Sequence, residues 1–475
     1  MGVFPGFLGP SYESQTPVAG AERCVNWYPE ALESGMKGRV ALYPTPGVQS
    51  FATLGDTPIR GLFAQQGRCF AVAGGTLYEI NEAGTPTNLG AVLEDGNPAT
   101  FTTNGDQGGQ LAISSGDLVY VLRLSDNTLT QPVSDASHVA FLDGYVLKLD
   151  PATSKVNISA LNDANAWDAT EFLQRTAGSD RLRSLLVADR DIWLFGERTS
   201  EVWWNQGTSP FPFAPAEEGF IEEGTAAPFS PALLNKTPVW LGQNQDGDRI
   251  VWRASGYQPV RISTHAIEHA LASYERVDDA VGFTYQQRGH NFYVLNLPDA
   301  GATWAYDAAT QLWHERGTWR SDRVRFDAWH PQSHCYVFNK HLVGDRMSGT
   351  VFELDVDLYN DTNGKPIHRI RQAPHINNEH RQVFHRSLEL EFGRGLGAIA
   401  GQGVDPQFML QWSNDGGQTW GNEHWRGAGP QGQYGRRAIW RRLGVGRDRV
   451  YRLAVSDPIF WPLVGAYLDV ETGAS

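Results

Sequence analysis

The chain has 475 residues, 41% hydrophobic and 19% charged, and at roughly 150 residues per domain its length fits about three ordinary domains. Gly 51 and Pro 26 exceed average usage, and 16 Trp within an 11% aromatic share supply packing surface that a disordered chain lacks. The balance of 39 Lys+Arg against 53 Asp+Glu, −14 net, repels phosphate backbones and disfavours a DNA-coating protein, while no apolar run approaches the roughly 18 residues of a bilayer span.

Residues 1–54 are rich in Pro and Gly with one apolar run, RVALYPTPG, and read as an extended N-terminal arm with first strands. Met1 to Pro10 has no basic region before its apolar residues, so no secretory leader is expected. Cys24, Cys69 and Cys335 are far apart in sequence with no C-x-x-C pair, which offers neither a disulfide framework nor a thiolate zinc site and suits a reducing cytosol.

From residue 55 to 375 a hairpin signal recurs, two apolar or aromatic runs flanking a Gly-, Asp- or Asn-rich turn. Seven such segments begin at Cys69, Gln110, His138, Asp191, Pro238, Asn291 and His334. Their spacing of roughly 30 to 50 residues is that of propeller blades, which bury their faces only by closing into a ring. The fold class expected is therefore all-β, a propeller of about seven irregular blades. Unrelated hairpins in sandwiches are the alternative, since neither WD nor kelch signatures recur.

Helix signal is sparse. Thr264 can cap HAIEHALASY, whose Ile267, Ala270 and Leu271 share a face. The same stretch, His265-Ala-Ile-Glu268-His269, spells H-x-x-E-H, the inverted zinc-protease motif, in which two histidines bind zinc and the glutamate acts as base. A third ligand on a supporting helix is not in sight, so a polar helix face is the reading taken, and no metal, cofactor or catalytic residue is assigned. Neither GxGxxG before a helix nor GxxxxGK[ST] occurs.

The polar run APHINNEHRQ, Ala373 to Gln382, reads as a linker. Residues 383–475 follow with alternating segments, FHRSLELEF to VGAYLDV, and predict a C-terminal β-sandwich-like domain. Within it Ser413, Asp415, Gly417 and Trp420 fit S-x-D-x-G-x-x-W, the Asp-box of sialidase-like propellers. Physically this is a turn in which the carboxylate accepts backbone N–H bonds and the indole packs beneath. Seven arginines between Arg436 and Arg452 stand out in an acidic chain. Arg436, Arg437, Arg441 and Arg442 are candidate protein contacts, for an acidic partner surface or a neighbouring subunit; a solvated strand face and DNA contact are the other readings.

ERCVNWYPE at Glu22 to Glu30, LYPTPGV at Leu42 to Val48, DIWLFGERTSEVWWNQG, IEEGTAAP, RISTHAIEHALASY, TWAYDAATQLWHERG and the terminal WRRLGVGRDRVYRLAVSDP occur in an order that resembles the packaged-DNA-stabilising tail hub proteins of short-tailed, podovirus-type phages. The resemblance spans about Glu22 to Pro458. It implies a non-enzymatic virion protein made in the host cytoplasm: a homohexameric ring below the portal and its head-to-tail adaptor. Such a ring closes the DNA exit channel with the tail needle, stabilises packaged DNA until genome ejection and seats tailspikes. DNA touches it only in passing through the lumen, and this chain inserts into no membrane. A carbohydrate-binding or sialidase-like propeller protein is the alternative function.

Overall fold

The computed structural model describes residues 1–32, 40–175, 177–209 and 211–473. Apart from the helix His265–Ser273 and a single helical turn at Gly105–Gly108, its regular elements are strands.

Each of the seven hairpins read from the sequence falls in a different antiparallel sheet, and those sheets share a local device. A two-residue turn joins the innermost strand to the next in six of them, at Gln66-Gly67, Asp143-Gly144, Asp189-Arg190, Asn235-Lys236, Arg288-Gly289 and Phe338-Asn339, and the second strand to the third in the other, at Gly116-Asp117, all with positive φ at both residues. Positive φ at both positions is what a type I′ hairpin requires, and it matches the right-handed twist of the strands it connects. Chain sterics disfavour side chains as large as Phe338 and Arg190 there, so strand pairing on either side overrides local preference.

Six blades are each written by one continuous stretch, 59–91, 100–134, 138–174, 182–221, 224–261 and 281–316, the last continuing beyond its outer strand into a sheet of the C-terminal unit. The remaining one is composite: Pro331–Val337, Lys340–Asp345 and Thr350–Asp355 take their fourth strand, Gly47–Thr53, from the other end of the chain. The count thus differs slightly from the about seven blades expected: six are alike, and the composite sheet closes the ring. Neighbouring innermost strands meet in chain order around the ring, and Pro331–Val337 returns against Ile59–Gln65. Cys69 and Cys335, distant in sequence, meet there in a buried core with their sulfurs 3.9 Å apart.

The C-terminal unit is a sandwich of two sheets. One contains Trp27–Ala31, Val40–Pro44, Leu463–Thr472, Val383–Phe392 and Ala438–Arg441; the other contains Ala21–Val25, Arg369–Gln372, Asp448–Val455, Gln407–Ser413 and His424–Gly427. Between them lies a core that includes Trp27, Phe408, Trp440, Tyr451 and Trp461. The indole donors are used: Trp27 Nε1 donates to Trp461 O at 2.8 Å and Trp440 Nε1 to His424 O at 2.7 Å.

The described residues among the first 54 supply the expected first strands but are built into both units rather than extended as an arm. Gly2–Val3, Ala21–Val25, Trp27–Ala31 and Val40–Pro44 are strands of the sandwich, and Gly47–Thr53 closes the propeller. Arg371 pins the segment before them, donating to Phe7 O at 2.5 Å, Gly6 O at 2.8 Å and Pro10 O at 2.9 Å. The expected linker is likewise stitched in, with Ala373 N donating to Tyr451 O at 2.8 Å and Ile376–Asn377 pairing with Asp448 and Arg449. Short polar stretches look like linkers when their partner strands lie far away in sequence.

Candidate docking surface

The arginine-rich run occupies the edge of the first sandwich sheet. Ala438–Arg441 pairs with Ser387–Leu390 of the long strand Val383–Phe392, and alternation sends Ala438 and Trp440 inward and Arg441 outward. The chain then turns at Arg442, which has φ 58° and whose N–H donates to Arg386 O at 2.8 Å. Arg386, Arg441 and Arg442, with the half-exposed Phe384 and Val445, line a shallow groove of about 750 Å³ bordered by Asp469 and Glu471. Arg386 is ion-paired with Glu471. Arg441 and Arg442 have no ion pair among the described residues, which leaves two free positive charges beside apolar surface.

The four candidate arginines do not act as one group. Arg437 donates to both carboxylate oxygens of Glu389, at 2.7 and 2.6 Å, and this bidentate contact holds Glu389 below the usual carboxylate range. Arg436 donates through Nε to Gly427 O at 3.3 Å, at the far end of the strand from Arg441. Only Arg441 and Arg442 come together, and the sequence reading missed Arg386 and Phe384, which join them from the neighbouring strand. The FHRSLELEF alternation carried that signal, since it places Phe384 and Arg386 on one face.

Of the other three arginines, Arg447 is exposed, whereas Arg449 is buried and Arg452 half-buried. Arg449 is 1% exposed and lies against Trp412 and Tyr451. It donates to Asn414 Oδ1 at 2.8 Å, Leu443 O at 2.6 Å and Val445 O at 3.1 Å. Arg452 stands 3.6 Å over the Trp420 ring, and burial followed by repulsion from Arg23 pushes its pKa down to about 10. A solvated strand face therefore describes only part of this run.

The Asp-box turn braces that edge. Ser413 Oγ donates to Asp415 Oδ1 at 2.5 Å and accepts from Gly417 N at 2.8 Å, while Asp415 accepts from Gln418 N at 3.1 Å and Thr419 N at 2.9 Å. These donors hold Asp415 at a pKa of about 2. Gly416 and Gly417 have φ of 74° and 94°, where a side chain would be strained. Asn414, inside the same turn, is the acceptor for Arg449, whose other donors hold the carbonyls of Leu443 and Val445. The turn thus fixes the loop that carries Arg442.

The H-x-x-E-H helix is built for a different purpose. Thr264 caps it, its side chain accepting from Ile267 N at 3.4 Å, and Ala266, Ile267 and Leu271 are buried. Glu268 is occupied by bidentate pairing with Arg261 and by the Ser263 hydroxyl at 2.7 Å. His265 and His269 are both exposed. Among the described residues no group of three or more His, Cys, Asp or Glu could hold a metal ion, and no helix is long and apolar enough to cross a membrane.

Residues 13–359 match the family model described as bacteriophage P22 Gp10, beta-propeller, and residues 368–471 match that described as bacteriophage P22 Gp10, beta-sandwich. The chain belongs to the bacteriophage P22 Gp10 family. It is a structural phage protein, a tail hub of the podovirus type, and as such a component of the virion tail. The H-x-x-E-H helix lies inside the Gp10 propeller match. No curated protein sequence matches the chain. Among solved structures, it is similar to virginiamycin B lyase from Staphylococcus aureus, at 8% identity and TM-score 0.44 over 65% of this chain and 99% of that one. It is also similar to the N-terminal domain of Nup159, at 10% identity and TM-score 0.42 over 70% and 98% of the two chains. Likenesses this distant bear on neither function nor mechanism.

Proposed function

We propose that this Gp10-family chain forms a homohexameric ring below the portal's head-to-tail adaptor, where it holds the tail needle across the DNA exit channel, stabilises packaged DNA and seats tailspikes. The observation that carries the reading is the match of both units, in order, to the propeller and sandwich of the P22 Gp10 family. Two features support it. The propeller and sandwich share one continuous sheet, so load on either unit passes into the other through backbone hydrogen bonds. The groove edge at Arg441 and Arg442 is a local basic, part-apolar surface on a chain of net charge −14, suited to an acidic neighbour.

The role requires rigidity rather than covalent chemistry, and a closed assembly of small sheets provides it. An acidic lumen would also keep DNA from adhering as it leaves. The test is electron microscopy of virions carrying a labelled copy of this chain, together with light scattering of the purified protein. Density for the label in a sixfold ring between adaptor and needle is expected. A monomer that never assembles with adaptor, or a label placed elsewhere in the particle, overturns the proposal.

A further inference from the structure

At the junction of propeller and sandwich two guanidiniums are buried with too few acceptors. Asn26 sets their positions: its Nδ2 donates to Gly317 O at 2.9 Å and to His368 O at 2.8 Å, so Arg316 and Arg369, the chain neighbours of those two residues, start from either side of one amide. Arg316 ends the propeller strand Leu312–Arg316, and Arg369 begins the sandwich strand Arg369–Gln372. Arg369 is 0% exposed and Arg316 is 3% exposed.

Arg316 stands over the Trp329 ring at 3.7 Å, donating through Nη2 to Pro46 O at 3.1 Å and through Nη1 to the Tyr285 hydroxyl at 3.3 Å. Its Nε has no acceptor among the described residues. Arg369 makes a single bond, from Nη1 to Ile367 O at 3.3 Å, and both its Nε and Nη2 are unpartnered among the described residues.

The charges do not balance either. Asp361 is the single carboxylate among the groups that act on both guanidiniums, and its Oδ1 already accepts from Thr362 N at 2.7 Å. Burial raises the Asp361 pKa, which weakens it as a counter-charge. Burial, and then the Arg316 charge, push Arg369 down to about 9, yet a guanidinium at neutral pH keeps its proton. Two buried cations facing one carboxylate are unstable unless something negative joins them.

We propose that the junction is an inorganic anion site, holding an ion of chloride size on Nε and Nη2 of Arg369 and Nε of Arg316. Both side chains are closed off from solvent, which excludes a nucleic-acid phosphate or a protein carboxylate and leaves a small free ion. Bound there, it bridges a strand of each unit and clamps them together.

The test uses the full chain. Crystals grown in sodium bromide are expected to give an anomalous peak at hydrogen-bond distance from the three unpartnered nitrogens. In solution the melting temperature is expected to rise with the logarithm of chloride concentration when gluconate keeps ionic strength constant. Arg369→Gln should flatten that dependence, and Asp361→Asn, which removes the competing negative charge, should steepen it. If Arg369→Gln does not fold, the wild-type measurements and Asp361→Asn decide. Water alone at the site, or bromide without any chloride dependence of melting (an adventitious ion only), overturns the proposal.

Discussion

Val25 pairs in parallel with Glu315, and at that single position a propeller sheet becomes continuous with a sheet of the sandwich, because Val25 also pairs with Ile370 in antiparallel register. The next residue secures the seam. Asn26 is buried with φ 59°, donates to Gly317 O and His368 O, and accepts from Gly317 N at 3.1 Å.

Asn26→Ala should therefore destabilise the chain by about 2 to 4 kcal/mol, combining unsatisfied buried partners with a strained left-handed backbone. Asn26→Gly should recover about 1 kcal/mol of that loss by removing the strain alone. Calorimetry checks both, and the Ala variant is expected to split one transition into separate propeller and sandwich melts. Equal stability of the Ala and Gly variants would contradict the backbone part of the argument.

Reversing Arg441 and Arg442 to Glu should leave folding almost unchanged, since exposed charges contribute little to stability. Assembly should suffer instead. Particles made with the double variant are expected to package DNA and then leak it, with the chain depleted from purified tails. Normal incorporation of the variant at raised salt, where screening removes residual attraction, would show that this edge is not a docking surface.

Asp415→Asn should lower the melting temperature at neutral pH through loss of charge-assisted bonds to the turn amides. The sign with pH follows from the depressed pKa. Asp415 sits at about 2 in the folded chain against an ordinary 3.8, so its contribution is present above about 4 and is lost as pH falls through about 2. The gap between parent and variant melting curves should close over that window. A gap constant from pH 6 to pH 2 would place the effect in sterics rather than charge.

His265→Ala combined with His269→Ala should change stability by no more than about 0.5 kcal/mol, because both side chains are exposed. Glu268 would stay with Arg261 and Ser263, and the helix with its Thr264 cap. Elemental analysis of the parent protein is expected to find no stoichiometric zinc; one zinc per chain, lost with this double change, would reverse the reading of the helix.

Much of the architecture was legible because each propeller hairpin is a local event written within a dozen or so residues. The shared turn was hidden, since Gln66-Gly67, Asn235-Lys236 and Phe338-Asn339 have the same backbone and no common residue type. Pairings such as Val351 with Ala52, or Arg371 with Cys24, leave no mark on local sequence, so the N-terminal strands passed for an arm. The arginines show the same limit. Alternation predicts that Arg441 faces away from Trp440, but only the register of Asp448–Val455 reveals that Arg449 points into the interior.

The composite propeller sheet dictates an order of events during synthesis. Gly47–Thr53 leaves the ribosome early and must wait for Thr350–Asp355, and Val40–Pro44, already paired with Trp27–Ala31, waits longer still for its second neighbour, Leu463–Thr472. Neither unit can complete its hydrogen bonding until nearly the whole chain has emerged, so folding is non-local and slow, with early strands exposed as unpaired edges. A chain interrupted before Leu463 would be left with a gap in the first sandwich sheet, between Val40–Pro44 and Val383–Phe392. Such fragments would present sticky edges to proteases and chaperones, which keeps partial products out of a growing particle.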